Sequence, residues 1–317
     1  MPPTEICWPE KNVLVTGGKG FLGSRIVQGL QEKEVKKVIA PSRQEYNLTN
    51  LADCRRILQD VDIVFHAAGK TGGIGLNREK PAELFYENLM MGIQLINESK
   101  NANIEKLIAI GTICSYPKYA PIPFSEESLW NGYPEETNAP YGLAKKMLLV
   151  QSKAYRQQYG FRSIVVIPTN LFGPKDNFSL HSSHVIPAII MKIQNAIDSG
   201  SRSITVWGDG SPTRDFLYVD DAANGIILAA EKYDDVEPVN LGSGHEVSIK
   251  ELVDTIAKLM DFEGELIWDT TKPNGQPRRC VSNKRAREKL GFHPLVCLEE
   301  GLLRTIKWFR SEYNTRH

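Results

Sequence analysis

Short runs of aliphatic and β-branched residues alternate, in the first half of the chain, with segments whose apolar positions recur at helical spacing. The runs predict strands at 13–16, 37–40, 62–68, 107–112 and 164–168, and helices fill the segments between them, for example at 24–31 and 51–58. Strands written as continuous apolar runs and separated by helices are typical of a parallel sheet covered on both faces. The pattern therefore predicts an α/β fold with a doubly wound parallel sheet.

The alternation changes after Pro168, where turn-rich stretches at 170–174 and 207–212 separate shorter elements. A smaller C-terminal lobe, also α/β, is expected there. The segment 215–221 leads into a helix that runs to about 231, and 239–243 resembles another sheet strand. We therefore predict one domain over 1–168 with a later contribution from about 215–245, and a second, interleaved domain that makes up most of 169–317.

A glycine-rich turn joins the first predicted strand to the first predicted helix. Three glycines alone would be weak evidence, but here the strand ends at Thr16 and the helix opens at about Phe21. In this context Gly17 permits the tight turn, Gly20 the approach of a pyrophosphate, and Gly23 close packing of helix on strand. The helix N-terminus, with Phe21 and Leu22, supplies free N–H groups for phosphates. The turn predicts a Rossmann-type dinucleotide site in the first domain, which leaves substrate binding mainly to the second.

The end of the second strand indicates which nicotinamide cofactor fits. NAD sites usually place Asp or Glu there for the adenosine ribose, whereas this chain has Ala40-Pro-Ser42-Arg43, with a hydroxyl and a guanidinium but no carboxylate. The sequence therefore favours NADP(H). The alternative is that Arg43 is an ordinary solvated surface arginine.

Composition narrows the classes of function. The 317 residues carry 38 Lys+Arg and 38 Asp+Glu, and a neutral chain is a poor candidate for coating nucleic acid or a membrane surface. No run reaches about 18 apolar residues, and the first ten residues lack the order of a signal peptide, so a cytoplasmic protein is expected. Five scattered cysteines form no CxxC or His-rich cluster, and no metal site is predicted.

A tyrosine and a lysine with helical spacing provide candidate chemistry. Tyr141 and Lys145 are four residues apart, hence on one face of a helix that starts just after Pro140. A nearby ammonium favours phenolate and is expected to lower the pKa of Tyr141, so that the phenol exchanges a proton near neutral pH. A third polar group, Thr112, ends the fourth predicted strand.

These motifs together resemble the extended short-chain dehydrogenase/reductase family, whose members act on nucleotide-linked sugars. The resemblance runs in order over nearly the whole chain, through 16–23, 66–68, Thr112, Tyr141 with Lys145, 170–174 and 214–221. It implies that Ala67, Ala68, Pro168 and His184 join Tyr141 and Lys145 around the cofactor. It also implies a homodimer that pairs helices at about 81–99 and 141–159 with their copies.

The variable positions point to a subfamily. Nucleotide-sugar dehydratases of this family carry an Asp-Glu pair directly after the active-site hydroxyl residue, whereas this chain has Ile113-Cys114 there and His184 in a Ser-Ser-His segment. Together with 72–77, 86–91 and 176–178, these residues resemble the GDP-L-fucose synthase family. That resemblance implies 3,5-epimerisation by Cys114 and His184 of a nucleoside-diphosphate 4-keto-6-deoxy sugar, followed by NADPH-dependent 4-reduction with Thr112, Tyr141 and Lys145.

The chain departs from the family pattern in the active-site turn. The family commonly has Ser-Ser-Cys there, whereas this chain has Thr112-Ile113-Cys114. Threonine keeps the hydroxyl, so the reduction is expected to survive. Ile113 and the following Ser115 are expected to alter the wall of the pocket, which leaves the identity of the sugar open.

The substrate's diphosphate needs positive charge, and the family resemblance assigns that role first to Arg214. Other candidate substrate-binding residues are Asn170, Lys192, Trp207, Lys272 and Arg278, with Trp207 nearly as good a candidate for a core position. Three alternatives remain: an enzyme acting on another 4-keto sugar, a C4 dehydrogenase or reductase without epimerisation, and an NADP-sensing regulator without catalysis. A sensor needs neither Thr112 nor the Tyr141 and Lys145 pair, which argues against it.

Overall fold

The fold consists of two α/β lobes. The computed structural model describes residues 6–179, 182–272 and 274–314. The strands within these ranges are β1 (Asn12–Thr16), β2 (Lys37–Ile39), β3 (Ile63–His66), β4 (Lys106–Ile110), β5 (Ser163–Pro168), β6 (Asn170–Phe172), β7 (Ser203–Trp207), β8 (Thr213–Tyr218), β9 (Val239–Leu241), β10 (Glu246–Ser248), β11 (Glu265–Asp269) and β12 (Arg278–Arg279). The helices are α1 (Phe21–Glu32), α2 (Leu51–Ile57), α3 (Ile74–Glu79), α4 (Pro81–Asn101), α5 (Ala139–Tyr159), α6 (Val185–Ser199), α7 (Val219–Lys232), α8 (Ile249–Leu259), α9 (Lys284–Leu290) and α10 (Leu298–Asn314).

The main sheet has six strands in the order β2-β1-β3-β4-β5-β9, and every neighbouring pair is parallel. Its central strands are buried along their whole length, as their uninterrupted apolar sequences require. The predicted fold class is confirmed. The strands end earlier than the apolar runs suggested, so Gly111 and Thr112 lie beyond the carboxyl end of β4.

Helices cover both faces of this sheet. Val13 and Val15 of β1 contribute to a core with Ile26 of α1 and Ile226 of α7. The intervening Leu14 points to the other face, into a core that includes residues of α4 and α5. Alternate side chains of β1 thus contribute to the cores on the two faces of the doubly wound sheet.

The smaller lobe is organised around β8. This strand pairs with β6 and β12 in parallel and with β10 in an antiparallel manner, while β7 and β11 form a separate parallel pair. A third core packs α6, α8 and α10 against these strands. The chain then returns to the main sheet, because α7 joins the first core and β9 pairs with β5.

Membrane spans and metal clusters are both absent from the described part of the chain. None of the helices there has the length and apolar character needed to cross a bilayer. No group of three or more His, Cys, Asp or Glu side chains within 6–179, 182–272 and 274–314 is arranged to hold a metal ion.

Candidate active site

The glycine turn lies between β1 and α1, where the sequence predicted it. Gly17 has φ +70°, and a Cβ there would lie 2.8 Å from the backbone nitrogen of Ala68. A Cβ on Gly23 would lie 2.1 Å from the carbonyl oxygen of Gly17. Glycine is therefore required both for the turn and for the contact of α1 with it. Gly20 caps α1, so the free N–H groups of the first turn, at Phe21 and Leu22, are available to a phosphate.

The turn is joined to the end of β3. The Ala67 nitrogen donates to the carbonyl of Thr16 at 3.2 Å, and the Ala68 nitrogen donates to the Thr16 hydroxyl at 3.3 Å. That hydroxyl also lies 2.9 Å from Nδ1 of His66, which is fully buried. Burial, and after it the charge of Lys145, lowers the pKa of His66 to about 3, so the ring is neutral. These bonds hold Ala67 and Ala68 against the dinucleotide turn.

The cations expected beside the adenosine ribose each have a protein carboxylate as partner. Arg43 forms an ion pair with Glu87 of α4 at 3.0 Å. Glu45 accepts from the Ser42 nitrogen at 2.6 Å, from the Ser42 hydroxyl at 2.7 Å and from Lys19 Nζ at 3.1 Å. The bonds from Ser42 are the main cause that lowers the pKa of Glu45 to about 2. Residues 40–43 themselves carry no carboxylate, as the sequence shows, but Glu45, three residues beyond Ser42, folds back onto that residue.

Thr112, Tyr141 and Lys145 meet at the carboxyl ends of β3 and β4. The hydroxyl of Thr112 accepts from the Cys114 nitrogen at 3.2 Å and also interacts with the phenol of Tyr141. Lys145 is buried and donates from Nζ to the carbonyl of Ala68 at 3.3 Å. The structure thus brings the three residues to the same edge of the sheet as the glycine turn.

The pKa values of this pair differ from the expectation that Lys145 lowers that of Tyr141. Burial, followed by the charge of Cys114, raises the pKa of the Tyr141 phenol, and the Thr112 hydroxyl opposes the change. Burial lowers the pKa of Lys145 to about 8. Removal from water disfavours both charged forms, and the ammonium donates to a carbonyl instead of to the phenol. Tyr141 is therefore kept in its protonated form, which suits a proton donor.

Cys114 lies in the short turn after β4. Its sulfur accepts a contact at 3.6 Å from Nη1 of Arg279, a residue of β12. The guanidinium of Arg279 is in turn held by the side-chain oxygen of Gln276, at 3.2 Å from Nε and 3.0 Å from Nη2. Arg214 is paired in register with Arg279 across β8 and β12. Sequence reasoning found Cys114 and Arg214 but missed Arg279 and Gln276, because no local motif marks them.

Ile113 and Ser115 do not change the wall of the pocket, so that expectation is wrong. Ile113 is 4% exposed and packs in the core beneath the sheet. Ser115 is 2% exposed and donates its hydroxyl to the carbonyl of Gly142 at 2.8 Å. In a turn of this kind alternate side chains point into the protein, and only Cys114 between them remains partly exposed.

His184 caps the N-terminus of α6, without a hydrogen bond from its side chain to the helix. The preceding segment is held by Gly73, whose nitrogen donates to the carbonyl of Ser182 at 3.0 Å. The side chain reaches solvent, yet removal from part of its water shell and then the charge of Arg279 lower the pKa of His184. Arg279 therefore acts on both candidate proton-transfer residues, Cys114 and His184.

Trp207 lies at the end of β7 with two lysine ammonium groups near its indole ring. Lys192 Nζ is 6.0 Å and Lys272 Nζ is 5.8 Å from the centre of the indole ring. The residue is 58% exposed, so the alternative of a core tryptophan is wrong. An exposed indole with two ammonium groups about 6 Å from its centre is suited to a nucleobase and its phosphates.

The other candidate residues, Asn170, Pro168 and Arg278, have protein partners of their own. Asn170 donates from Nδ2 to the carbonyl of Asp215 at 2.8 Å, and Pro168 ends β5 beside Leu241. Arg278 faces away from its neighbour Arg279 and forms an ion pair with Glu246 at 2.5 Å. The substrate-binding roles of Asn170 and Arg278 stay predictions.

This arrangement has counterparts among known proteins. The NAD dependent epimerase/dehydratase family matches the chain over residues 13–242. The chain belongs to this family. The predicted resemblance is thereby confirmed, and the match covers the glycine turn, the Thr112, Tyr141 and Lys145 group, Cys114 and His184.

Relatives within the NAD dependent epimerase/dehydratase family are similar over almost their whole length. The GDP-L-fucose synthase of Sinorhizobium fredii is 39% identical over 303 residues, which cover 95% of this chain and 96% of the relative. The GDP-L-fucose synthase of Escherichia coli is 35% identical, covering 95% and 97%. The GDP-L-colitose synthase of Yersinia pseudotuberculosis is 33% identical, covering 95% and 99%.

Solved structures of the same architecture include NADP complexes. The GDP-L-fucose synthetase of Naegleria fowleri bound to NADP superimposes with a TM-score of 0.90 at 27% identity, over 99% of this chain and 98% of that one. The GDP-mannoheptose C4 reductase of Campylobacter jejuni with NADP bound gives 0.87 at 26% identity, over 95% and 99%.

Proposed function

We propose that this chain is an NADPH-dependent epimerase and reductase that converts GDP-4-keto-6-deoxymannose to GDP-L-fucose. The observation that carries the proposal is the position of Cys114, two residues beyond Thr112 in one turn, with its sulfur beside a guanidinium and its amide bonded to the Thr112 hydroxyl. Reduction of a 4-ketone needs a hydride donor and a proton donor for O4 but no base at C3 or C5, so a thiol in this position favours epimerisation. The full-length similarity to GDP-L-fucose synthases supports the same choice.

NADP(H) fits the residues at the glycine turn. A Cβ at Gly17 or Gly23 would collide with backbone, so only glycine lets the turn pack tightly against α1 and the end of β3, and the first turn of α1 offers its N–H groups. Ser42, Lys19 and Arg43 would hold the 2′-phosphate after exchanging their carboxylate partners, and Ala67, Ala68, Pro168, Lys145 and His184 would line the nicotinamide half. When bound, NADPH supplies the hydride for the C4 carbonyl.

Epimerisation follows from the acidity that the C4 ketone gives to the hydrogens on C3 and C5. The thiolate of Cys114 removes such a hydrogen as a proton, and the electron pair of the C–H bond moves into an enolate whose charge rests on O4. Thr112 and Tyr141 stabilise that oxygen by hydrogen bonds. His184, in its imidazolium form, donates a ring proton to the opposite face and becomes the neutral imidazole, which inverts the centre. Exchange with water then returns the thiol and the imidazole to their starting states.

Reduction of C4 requires a proton on O4. Tyr141 is the donor, because its raised pKa keeps the phenol protonated at neutral pH and the Thr112 hydroxyl orients it. Lys145 of α5 holds its ammonium beyond the end of β3, next to the Ala68 carbonyl, where a nicotinamide ribose would also contact it. One pocket thus serves the epimerase and the reductase steps in succession.

The nucleotide of the substrate is placed by the second lobe. The exposed indole of Trp207 stacks on the guanine, and the nearby ammonium groups of Lys192 and Lys272 neutralise phosphate charge. Arg214 continues this positive surface towards Cys114, since it is paired with Arg279 across β8 and β12. The diphosphate then lies between the base and the sugar pocket.

A second candidate is 4-reduction of another GDP-linked 4-keto sugar. The GDP-mannoheptose C4 reductase with NADP bound has the same fold over 99% of its length, and a GDP-L-colitose synthase is 33% identical to the chain. In that case NADPH oxidation would occur with one of those ketones and not with GDP-4-keto-6-deoxymannose.

The test combines proton exchange with cofactor oxidation. The enzyme is incubated in D₂O with GDP-4-keto-6-deoxymannose, and deuterium at C3 and C5 is measured by NMR, with and without NADPH. We expect exchange in wild type, loss of exchange in Cys114→Ser, and slower but measurable exchange in Tyr141→Phe, which keeps Thr112 as a donor to O4, with NADPH oxidation lowered roughly 10²–10⁴-fold. Normal exchange and product stereochemistry in Cys114→Ser would reduce the proposal to a plain 4-reductase.

We further propose that the enzyme acts as a homodimer in the cytoplasm. Exposed apolar residues on α4 and α5, among them Tyr86 and Val150, support a contact between copies of these helices. A reducing compartment suits a mechanism that depends on the free thiol of Cys114.

A further inference from the structure

Arg279 has an unusual environment for an arginine in a substrate pocket. Its guanidinium makes two hydrogen bonds to one neutral acceptor, Oε1 of Gln276, and its remaining nitrogen points at the sulfur of Cys114. Among the residues that the structure describes, no carboxylate forms an ion pair with it. The positive charge therefore has the sulfur as its one anionic neighbour when Cys114 is deprotonated.

The support for Arg279 is itself fixed. Gln276 is 6% exposed, and its Nε2 donates to the carbonyl of Lys118 at 2.9 Å. Its amide oxygen is thus oriented towards Arg279 by a backbone contact on its other end. The guanidinium is held in place before any substrate arrives, which is the arrangement that electrostatic stabilisation requires.

We propose that Arg279 is a catalytic residue of the epimerisation step, which stabilises the thiolate of Cys114, and that Gln276 is the positioning residue that holds it there. The inference rests on the proposed function in one respect only, the use of that thiolate as a base. A cation within hydrogen-bonding distance of a sulfur favours its deprotonated form. The proton that the sulfur later accepts from C3 or C5 weakens the interaction, and deprotonation restores it.

The charge of Arg279 also changes the pKa values of His184 and Arg214 in the pocket. It is the second cause, after burial, that lowers the pKa of His184 and that lowers the pKa of Arg214 to about 10. The charge of Cys114 acts on Arg214 in the opposite direction. A thiolate at Cys114 therefore relieves the repulsion between two neighbouring guanidinium groups, which gives the anion a second source of stability.

A different role for Arg279 would be to bind the substrate's diphosphate. That role predicts weaker binding of GDP on substitution and no effect on the free enzyme. The thiolate role predicts a change in Cys114 before any substrate is added. Reactivity of the sulfur in the ligand-free protein therefore separates the two.

The experiment measures alkylation of Cys114 in the intact protein at pH 7, by mass spectrometry of the peptide that contains it. Iodoacetamide is the neutral reagent and iodoacetate the anionic one. We expect Arg279→Met to slow iodoacetamide on the order of tenfold, and iodoacetate further, because the thiolate and the local positive charge are both lost. Gln276→Leu should slow both reagents less, and Arg279→Lys should recover most of the rate.

Arg278→Met is the matched control, since it removes the same charge from the adjacent residue, whose side chain bonds to Glu246. We expect it to leave alkylation of Cys114 unchanged. Cys54 and Cys280 serve as internal references, because burial raises the pKa of each to about 12. A thermal unfolding curve checks that each variant is folded.

Equal alkylation rates in wild type and Arg279→Met would overturn the proposal, as would equal losses in Arg279→Met and Arg278→Met. The result is independent of the proposed function. If Arg279→Met slows alkylation and the wild type exchanges no hydrogen at C3 or C5, the activated thiolate stands and the epimerase function fails.

Discussion

Burial shifts the pKa values of Tyr141 and Lys145 in opposite directions. Withdrawal from water raises the pKa of the phenol and lowers that of the ammonium to about 8, so both are shifted towards their neutral forms. The phenol stays a donor across the whole physiological range. The ammonium, by contrast, loses its proton as pH rises through about 8, so we expect Lys145 to limit activity on the alkaline side.

We therefore expect kcat/KM for 4-reduction, which reports the free enzyme, to be level near pH 7 and to fall as pH rises through about 8. The sign follows from a lowered pKa: the charged form is present below it and lost above it. Initial rates of NADPH oxidation between pH 6 and about 9.5 would measure this. Lys145→Arg keeps the charge and should lack the alkaline decline, although its overall rate is lower. A decline at the same pH in that variant would assign it to another group.

Cofactor choice is also decided by single residues. If Arg43 binds the 2′-phosphate as proposed, its replacement by Ala removes a charge-assisted contact, and we expect affinity for NADPH to fall roughly 10- to 100-fold, with little change for NADH. Calorimetry with 2′,5′-ADP and with ADP isolates the phosphate from the rest of the cofactor. Equal affinities of the unaltered protein for these two compounds would contradict the assignment.

At this scale the sequence located the groups that lie within local motifs, namely Cys114 after Thr112 and Tyr141 with Lys145. It could not locate Arg279, which reaches Cys114 only because β12 pairs with β8 in one register. A shift of one residue would present Arg278 instead. Glu45 was missed for a related reason, because a turn folds it back onto Ser42.

Among the elements, α5 is the one whose position decides the geometry of catalysis. Its first turn lies directly against the loop that carries Cys114, and a Cβ on Gly142 would lie 2.3 Å from the carbonyl oxygen of that residue. No side chain fits there. The start of α5 can lie this close to the Cys114 loop only because residue 142 has no side chain, and this contact fixes the position of Tyr141 relative to Cys114.

We expect Gly142→Ala to displace the start of α5, with a loss of about 1–3 kcal/mol of unfolding free energy and roughly 100-fold in kcat. Gly160→Ala, at the other end of the helix, is the control. It has φ +67°, and a Cβ added there would meet nothing within 4 Å, so it should cost about 1 kcal/mol without changing kcat. Chemical denaturation and NADPH oxidation would be measured on both. Equal activities of the two variants would show that the contact is not needed.

Element prediction succeeded where the apolar pattern is decisive. The continuous runs of β3, β4 and β5 are buried strands, and the periodic segments between them are helices. For the second lobe, the sequence indicated only that the regular alternation of strands and helices ends. Its strands β6, β10 and β12 have at most three residues each and depend on pairing with β8 for their conformation. Short strands of this kind carry too little pattern to be identified in isolation.

At the scale of the whole molecule, α4 and α5 pack against each other and leave apolar side chains exposed. Phe85, Tyr86, Val150 and Tyr159 are 38%, 58%, 46% and 48% exposed. We expect a homodimer through these helices, with twice the chain mass in light scattering at micromolar concentration. Tyr86→Glu should shift the population to monomer, because it places a charge in an apolar contact. A monomer mass for the unaltered protein would refute the dimer.

The carboxylates that face Lys19 and Arg43 have a consequence for the effect of dissolved salt. In most phosphate sites the free cations are surrounded by solution anions, which leave when the ligand binds, so affinity falls steeply as ionic strength rises. Here Glu45 and Glu87 already neutralise the two cations from within the protein. NADPH would displace these fixed charges and release few counter-ions, and its dissociation constant should vary only slightly with the concentration of potassium chloride.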